Sequence, residues 1–150
     1  SRQAKEIVII AAEVRGKGMG RIRIARLPDE NGPTIVNFVK KNVAVGSRII
    51  SDGEWAYCWT TKHGYKHLRL PGAGHKELPR VHRIAALLKR WLLGTFHGRA
   101  SPHQLEHYLD EYAFRLNRRN STIRGQLFYR LVQQCAGCAP TPYHAMIGSY

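Results

Sequence analysis

Residues 5 to 27 constrain the fold most. They open with KEIVIIAAEV, a continuous apolar run of strand length, cross the turn residues GKGMG, and return as RIRIARL. In the return leg basic and apolar side chains alternate, which is the period of a half-buried strand with Arg21, Arg23 and Arg26 mostly outward. The two legs predict an antiparallel hairpin with one strand apolar throughout.

The next segments change period. PDENGP reads as a loop, and Pro33 suits a first helical position. In TIVNFVKKNV, Ile35, Phe38, Val39 and Val43 recur at helical spacing, AVGS breaks that helix, and RIIS starts a third strand that ends on Asp52. Residues 54 to 61 predict a short helix with Trp55, Tyr57, Cys58 and Trp59 packing, HGYKHLRL a short strand, and PGAGHKELP a loop. From Arg80 to Leu93, Val81, Ile84, Ala85, Leu88, Trp91 and Leu92 make one apolar stripe. Ser101 reads as an N-cap with Pro102 in the first turn and Gln104 closing a capping box. The helix behind it carries Leu105, Tyr108, Leu109, Tyr112 and Leu116 at core spacing, STIRGQLFYRLVQQC gives a last helix, and the tail from Ala139 is irregular. Strand, strand, helix, strand, helix, short strand and further helices define a mixed α/β domain, and 150 residues fit a single one.

Charge narrows the partner. Lys and Arg number 24 against 10 acids, a net charge of +14, and such an excess favours a polyanion because each phosphate contact releases counterions. Nucleic acid is therefore the expected partner. A membrane is not: no apolar run is long enough to span a bilayer, the basic residues do not gather on one amphipathic helix, and SRQAKEIVII shows no small-residue cleavage site of a signal peptide. Cys58, Cys135 and Cys138 do not make a disulfide framework, which points to a reducing compartment. CAGC has zinc-ligand spacing and lacks two ligands of a four-coordinate site unless Cys58 and His144 supply them.

The candidate chemistry sits in RIISDGEWAY. A strand ending on Asp with Gly behind it places a carboxylate at the tip of a sheet, where it can serve as part of a magnesium site for phosphoryl transfer. The same residues are also ordinary turn chemistry, with Asp52 capping the helix that follows. His63, His67, His75 and His82 lie near one another in sequence and suit either a metal or a phosphate-facing surface. Glu111 and Arg115 form an i, i+4 pair, and the basic residues of LKRW and FRLNRRNSTIR fall on helices that can reach phosphates.

SRIISDGEWAY, GYKHLRL, HRIAALLKRWLLGTFHG and HQLEHYLDEYAFRLNRR, in this order and with these gaps, resemble the catalytic domain of DDE-type insertion-sequence transposases, in the group whose relatives often carry an N-terminal zinc ribbon. The resemblance implies a ribonuclease-H-like mixed sheet flanked by helices. It implies DNA cleavage and strand transfer with Mg or Mn, transposon ends and target DNA as partners, an oligomer on DNA, and a cytoplasmic, nucleoid-associated bacterial or archaeal setting. Position by position, Asp52 matches the second catalytic aspartate and His82 a recurrent histidine before the helix of the third catalytic residue. Lys89, Arg90 and Trp91 match that helix's basic and aromatic positions, expected near DNA. Asp110, Glu111, Phe114, Arg115, Asn117, Arg118 and Arg119 match the closing helix signature, and Arg115, Arg118 and Arg119 join the expected DNA contacts.

Two departures follow. The family's first aspartate belongs to a strand upstream of KEIVIIAAEV, so the first strand is expected to be missing here. No acid or amide stands between Arg80 and Leu93, and Glu77 in the preceding loop is the substitute metal ligand to consider. The expectation is a weak or inactive catalyst in isolation, with a non-catalytic DNA-binding remnant or regulator of transposition as the alternative.

Overall fold

A computed structural model describes residues 6–74, 76–96, 101–140 and 142–143. The predicted hairpin is present: β1 (Ile7–Arg15) pairs antiparallel with β2 (Gly18–Leu27), in a register that sets Ile10 opposite Ile24 and Ala12 opposite Ile22. Gly16, at φ +54°, supplies the left-handed residue of the turn. The register shifts between Ala12 and Val14, and Glu13 at that irregularity accepts the Arg21 N–H at 2.8 Å.

Alternation along the hairpin creates two faces, and each buries against different helices. On one face Ile22 and Ile24 pack with Ile84 and Leu88 of α2 (Pro79–Phe96) and with Leu105, Leu109 and Tyr112 of α3 (Pro102–Asn117). Ile22, Ile84 and Leu109 are essentially inaccessible to solvent, and each such side chain contributes about 1.5–3 kcal/mol. On the other face Ile9 and Leu27 meet Ile35, Phe38 and Val39 of α1 (Gly32–Asn42). The apolar spacing of both sets was plain in the sequence, and their meeting across one hairpin is what the fold adds.

The helix ends follow local chemistry. Asn31 caps α1 by accepting the Thr34 N–H at 2.9 Å, with proline in the first turn. Ser101 and Gln104 form both bonds of the expected capping box on α3. α4 (Arg124–Gly137) lies largely exposed, with Phe128, Tyr129, Leu131 and Val132 open to solvent.

The strands do not form a single sheet among the described residues. β3 (Arg48–Ser51) pairs in parallel with β4 (Lys66–Arg69), separately from the hairpin. The link between β3 and β4 is a 3-10 helix, Trp55–His63, which ends at Gly64 with φ +83°. The expectation that its tryptophans pack inside is corrected: Trp55 is 68 % and Trp59 48 % exposed, whereas Tyr57 and Cys58 are half-buried. A 3-10 turn eclipses side chains three apart, so only a narrow strip can face inward. Tyr65 and Ile49 join the cluster under α1, so the hairpin and the parallel pair share one helix as a common support.

Candidate active site

Ligands of parallel strands gather beyond the strands' C-terminal ends, and β3 and β4 end together at Ser51 and Arg69. Asp52 follows directly and is exposed. Its Oδ1 accepts the Glu54 N–H at 3.3 Å, so it shapes the SDGE turn. The cap of the 3-10 helix is Glu54, which accepts from Ala56 N–H at 3.4 Å. Of the turn reading, the SDGE turn holds and the cap belongs to Glu54 rather than Asp52, and the turn leaves the Asp52 carboxylate in solvent.

Arg69 organises the surroundings of that carboxylate. Its Nε donates to the Gly53 carbonyl at 2.7 Å, and its guanidinium lies 4.5 Å from the centre of the Trp55 ring. Beneath the tip, buried Ser51 shares a 2.8 Å hydrogen bond between Oγ and His67 Nε2, and its hydroxyl also donates to the Asp52 carbonyl at 3.2 Å. Burial, and then the Arg69 charge, hold the His67 pKa below its ordinary value. Tyr57 stands 6.3 Å from His67, ring centre to ring centre. Burial first, and then the charges of Asp52, Glu30 and Glu54, push its hydroxyl up to about 12. The tip thus presents the exposed Asp52 carboxylate and a stacked arginine, over an imidazole biased toward its neutral form and a phenol that stays protonated at neutral pH.

Glu77 and His82 come together at the start of α2. Glu77 accepts the Gly74 N–H at 2.8 Å. That bond, one from its own backbone N–H, and the nearby His82 hold its carboxyl below the usual range. His82 is half-buried and its N–H donates to the Leu78 carbonyl at 3.2 Å. Glu77 therefore clasps the loop before α2, while Asp52 is held by its own turn. Among the described residues no three His, Cys, Asp or Glu side chains converge as metal ligands. Asp52 fits one hard-oxygen position of a divalent site, and the described residues do not complete the shell. Cys135 and Cys138 are exposed free thiols and Cys58 is half-buried; His75 and His144, named with them as metal candidates, lie outside the described residues.

The six residues expected to touch DNA divide by surroundings. Lys89 and Arg90 are exposed on α2. Trp91 is half-buried against the α2–α3 core, with Tyr112 and Tyr108 rings 5.5 and 6.4 Å away, which gives it a packing role. Arg115 pairs with Glu111 at 3.0 Å, as the spacing predicts, and Arg118 lies 3.7 Å above the Phe114 ring. Arg119 donates to the Leu116 and Met19 carbonyls, both at 2.7 Å, and so ties α3 to the hairpin.

Asn117 has a role the sequence reading did not assign. Its Oδ1 accepts the Ile22 N–H at 2.7 Å and its Nδ2 donates to the Ile22 carbonyl at 3.0 Å. The side-chain amide thus replaces a neighbouring strand at the free edge of β2. Arg80 does similar work at the turn, donating to the Gly16, Lys17 and Gly18 carbonyls at 3.1, 3.2 and 2.8 Å. The sequence signal for Asn117 was its place in the closing helix signature, and Arg80 carried none.

An exposed strand-tip carboxylate thus stands on a strongly basic mixed α/β domain. Comparison with known families is specific: the model for the ISXO2-like transposase domain matches residues 1–117. The chain belongs to this family of DDE-type insertion-sequence transposase domains. The match spans β1 to α3 and leaves α4 outside. No curated protein matches the sequence. The family implies DNA as partner and generally uses divalent metal, and no helix among the described residues is long and apolar enough to cross a membrane.

Proposed function

We propose that the chain is the catalytic domain of an insertion-sequence transposase, which cuts and joins DNA strands by phosphoryl transfer. The observation that carries this reading is the exposed Asp52 carboxylate at the C-terminal tip of the parallel pair, flanked by Arg69 and Trp55. Asp52 would hold a divalent ion as one of its ligands, and that ion would supply activation of the attacking oxygen and charge neutralisation at phosphorus. Arg69 would meet a phosphate oxygen, and Lys89 and Arg90 would grip the DNA backbone. His82 would orient water or phosphate from the start of α2, and Glu77 beside it would be a supporting ligand.

The fold reading is ribonuclease-H-like. The hairpin and the parallel pair rest on the same helix, and β1 and β3 each have one edge unpaired among the described residues. One strand lying between those edges would join the four into a mixed sheet and bring a second acid beside Asp52. One carboxylate binds magnesium poorly, so in isolation the chain is a weak catalyst. A second reading, a DNA-binding remnant or regulator without catalysis, is favoured by the lack of converging acids among the described residues.

The two part on cleavage. Labelled transposon-end DNA incubated with the protein and Mn²⁺ is expected to be nicked, with nicking lost in Asp52→Ala and binding kept. Equal retardation of the DNA with chelator present, and no nicking under any condition, would establish the second reading.

A further inference from the structure

Helices α1 and α3 cover opposite faces of the hairpin, so the free edge of β2 lies at the mouth between them. There they enclose an open groove of about 1130 Å³, separate from Asp52. Its lining includes five cations, Arg21, Arg23, Arg26, Lys41 and Arg118, and one acid, Asp110. Arg26 is already engaged by Glu6 and Glu106. Arg21, Arg23 and Lys41 are exposed and form no ion pair with a described acid. Arg21 and Arg23 on β2 and Lys41 on α1 line one trough, and like charges gathered there repel one another. A bound polyanion relieves that repulsion.

The groove's shape selects among polyanions. It follows an extended strand, and the Asn117 amide already occupies the edge atoms of Ile22, which blocks addition of a further strand at that rung. The wall also carries half-buried Phe114, with the Arg118 guanidinium stacked on its ring at 3.7 Å, while Phe38 beneath belongs to the core. A basic trough with flat aromatic and guanidinium surfaces is the chemistry that holds an unpaired strand by phosphate contacts and base stacking. The geometry points to this groove as a second DNA-binding surface, one that takes a single-stranded segment away from the Asp52 tip. The inference rests on the transposase reading for its choice of DNA and adds where an unpaired strand runs.

The test is fluorescence anisotropy of a labelled single-stranded oligonucleotide across a salt series, in chelator. The triple variant Arg21→Gln/Arg23→Gln/Lys41→Gln is compared with Arg48→Gln/Lys62→Gln/Lys66→Gln, which removes the same charge near the other end of the parallel pair, and circular dichroism confirms that both fold. Each lost phosphate contact flattens the slope of log K against log salt by about 0.7. The groove variant is expected to flatten it by about 2 and to weaken binding at least tenfold, with little change in the control. An unchanged slope in the groove variant, or an equal loss in both, overturns the groove. Wild-type protein that binds neither this oligonucleotide nor its duplex overturns the transposase reading itself. Wild-type binding with a groove variant that behaves identically removes only this inference.

Discussion

Replacing Asn117 tests how α3 holds the hairpin. In Asn117→Ala the Ile22 N–H and C=O lose partners at 2.7 and 3.0 Å, on a residue with no solvent exposure. Each bond contributes about 0.5–1.5 kcal/mol net, and a buried group left without a partner costs about 1–3 kcal/mol. The adjoining groove admits water to part of that edge once the amide is gone, so the lower end of the combined range of about 2–6 kcal/mol applies, a loss of roughly 2–3 kcal/mol. For a domain of this length that corresponds to a fall in melting temperature of about 5–10 °C. Urea unfolding followed by circular dichroism should show a lower midpoint at an unchanged slope. Asn117→Asp should be no better, because a carboxylate can accept from Ile22 N–H but sets its second oxygen against the Ile22 carbonyl. A loss below about 0.5 kcal/mol in the alanine variant, or wild-type stability in the aspartate variant, would refute the claim that this amide stands in for a strand.

His67 gives a pH prediction. Its folded pKa is depressed, so the unfolded chain binds more protons in the window between that lowered value and about 6.5. Its contribution to stability is therefore complete above the unfolded value and is lost as pH falls through the folded one. Urea midpoints should drop on acidification in wild type, and less so in His67→Gln. Tyr57 should titrate at about 12 by ultraviolet absorbance, with that late step missing in Tyr57→Phe. Gly32→Ala would set a Cβ 2.5 Å from the Trp59 ring, so the half-exposed indole must swing aside, and Trp fluorescence should shift red.

Much of the fold was legible because it is written in local periods. The hairpin legs, the Ile35–Phe38–Val39 stripe, the Ser101–Gln104 box and the strand that stops just before Asp52 all depend on neighbours within a few residues. What failed to show was long-range. Trp55 and Trp59 are apolar by type, yet their 3-10 helix buries only a strip, and Arg69 and Lys62 cover their rings instead. The bonds from Asn117 to Ile22 and from Arg119 to Met19 link residues about a hundred positions apart, so no window along the chain reveals them. They also change the reading of the closing helix signature, part of which holds α3 to the hairpin. At the candidate site, Asp52 was singled out from its strand-end position. Ser51 and Arg69 were not, and His67 was named only within a group of four histidines, because parallel pairing of β3 with β4 is what brings the three there.

The most direct test of the site is a manganese titration of ¹⁵N-labelled protein read by amide line broadening. Paramagnetic Mn²⁺ held by the Asp52 carboxylate should selectively broaden Gly53, Glu54 and Trp55, and the effect should vanish in Asp52→Asn while the rest of the spectrum is unchanged. Broadening centred on Glu77, or none at the strand tip at any concentration that broadens other amides, would contradict the assignment of position 52 as the ligand around which DNA chemistry is organised.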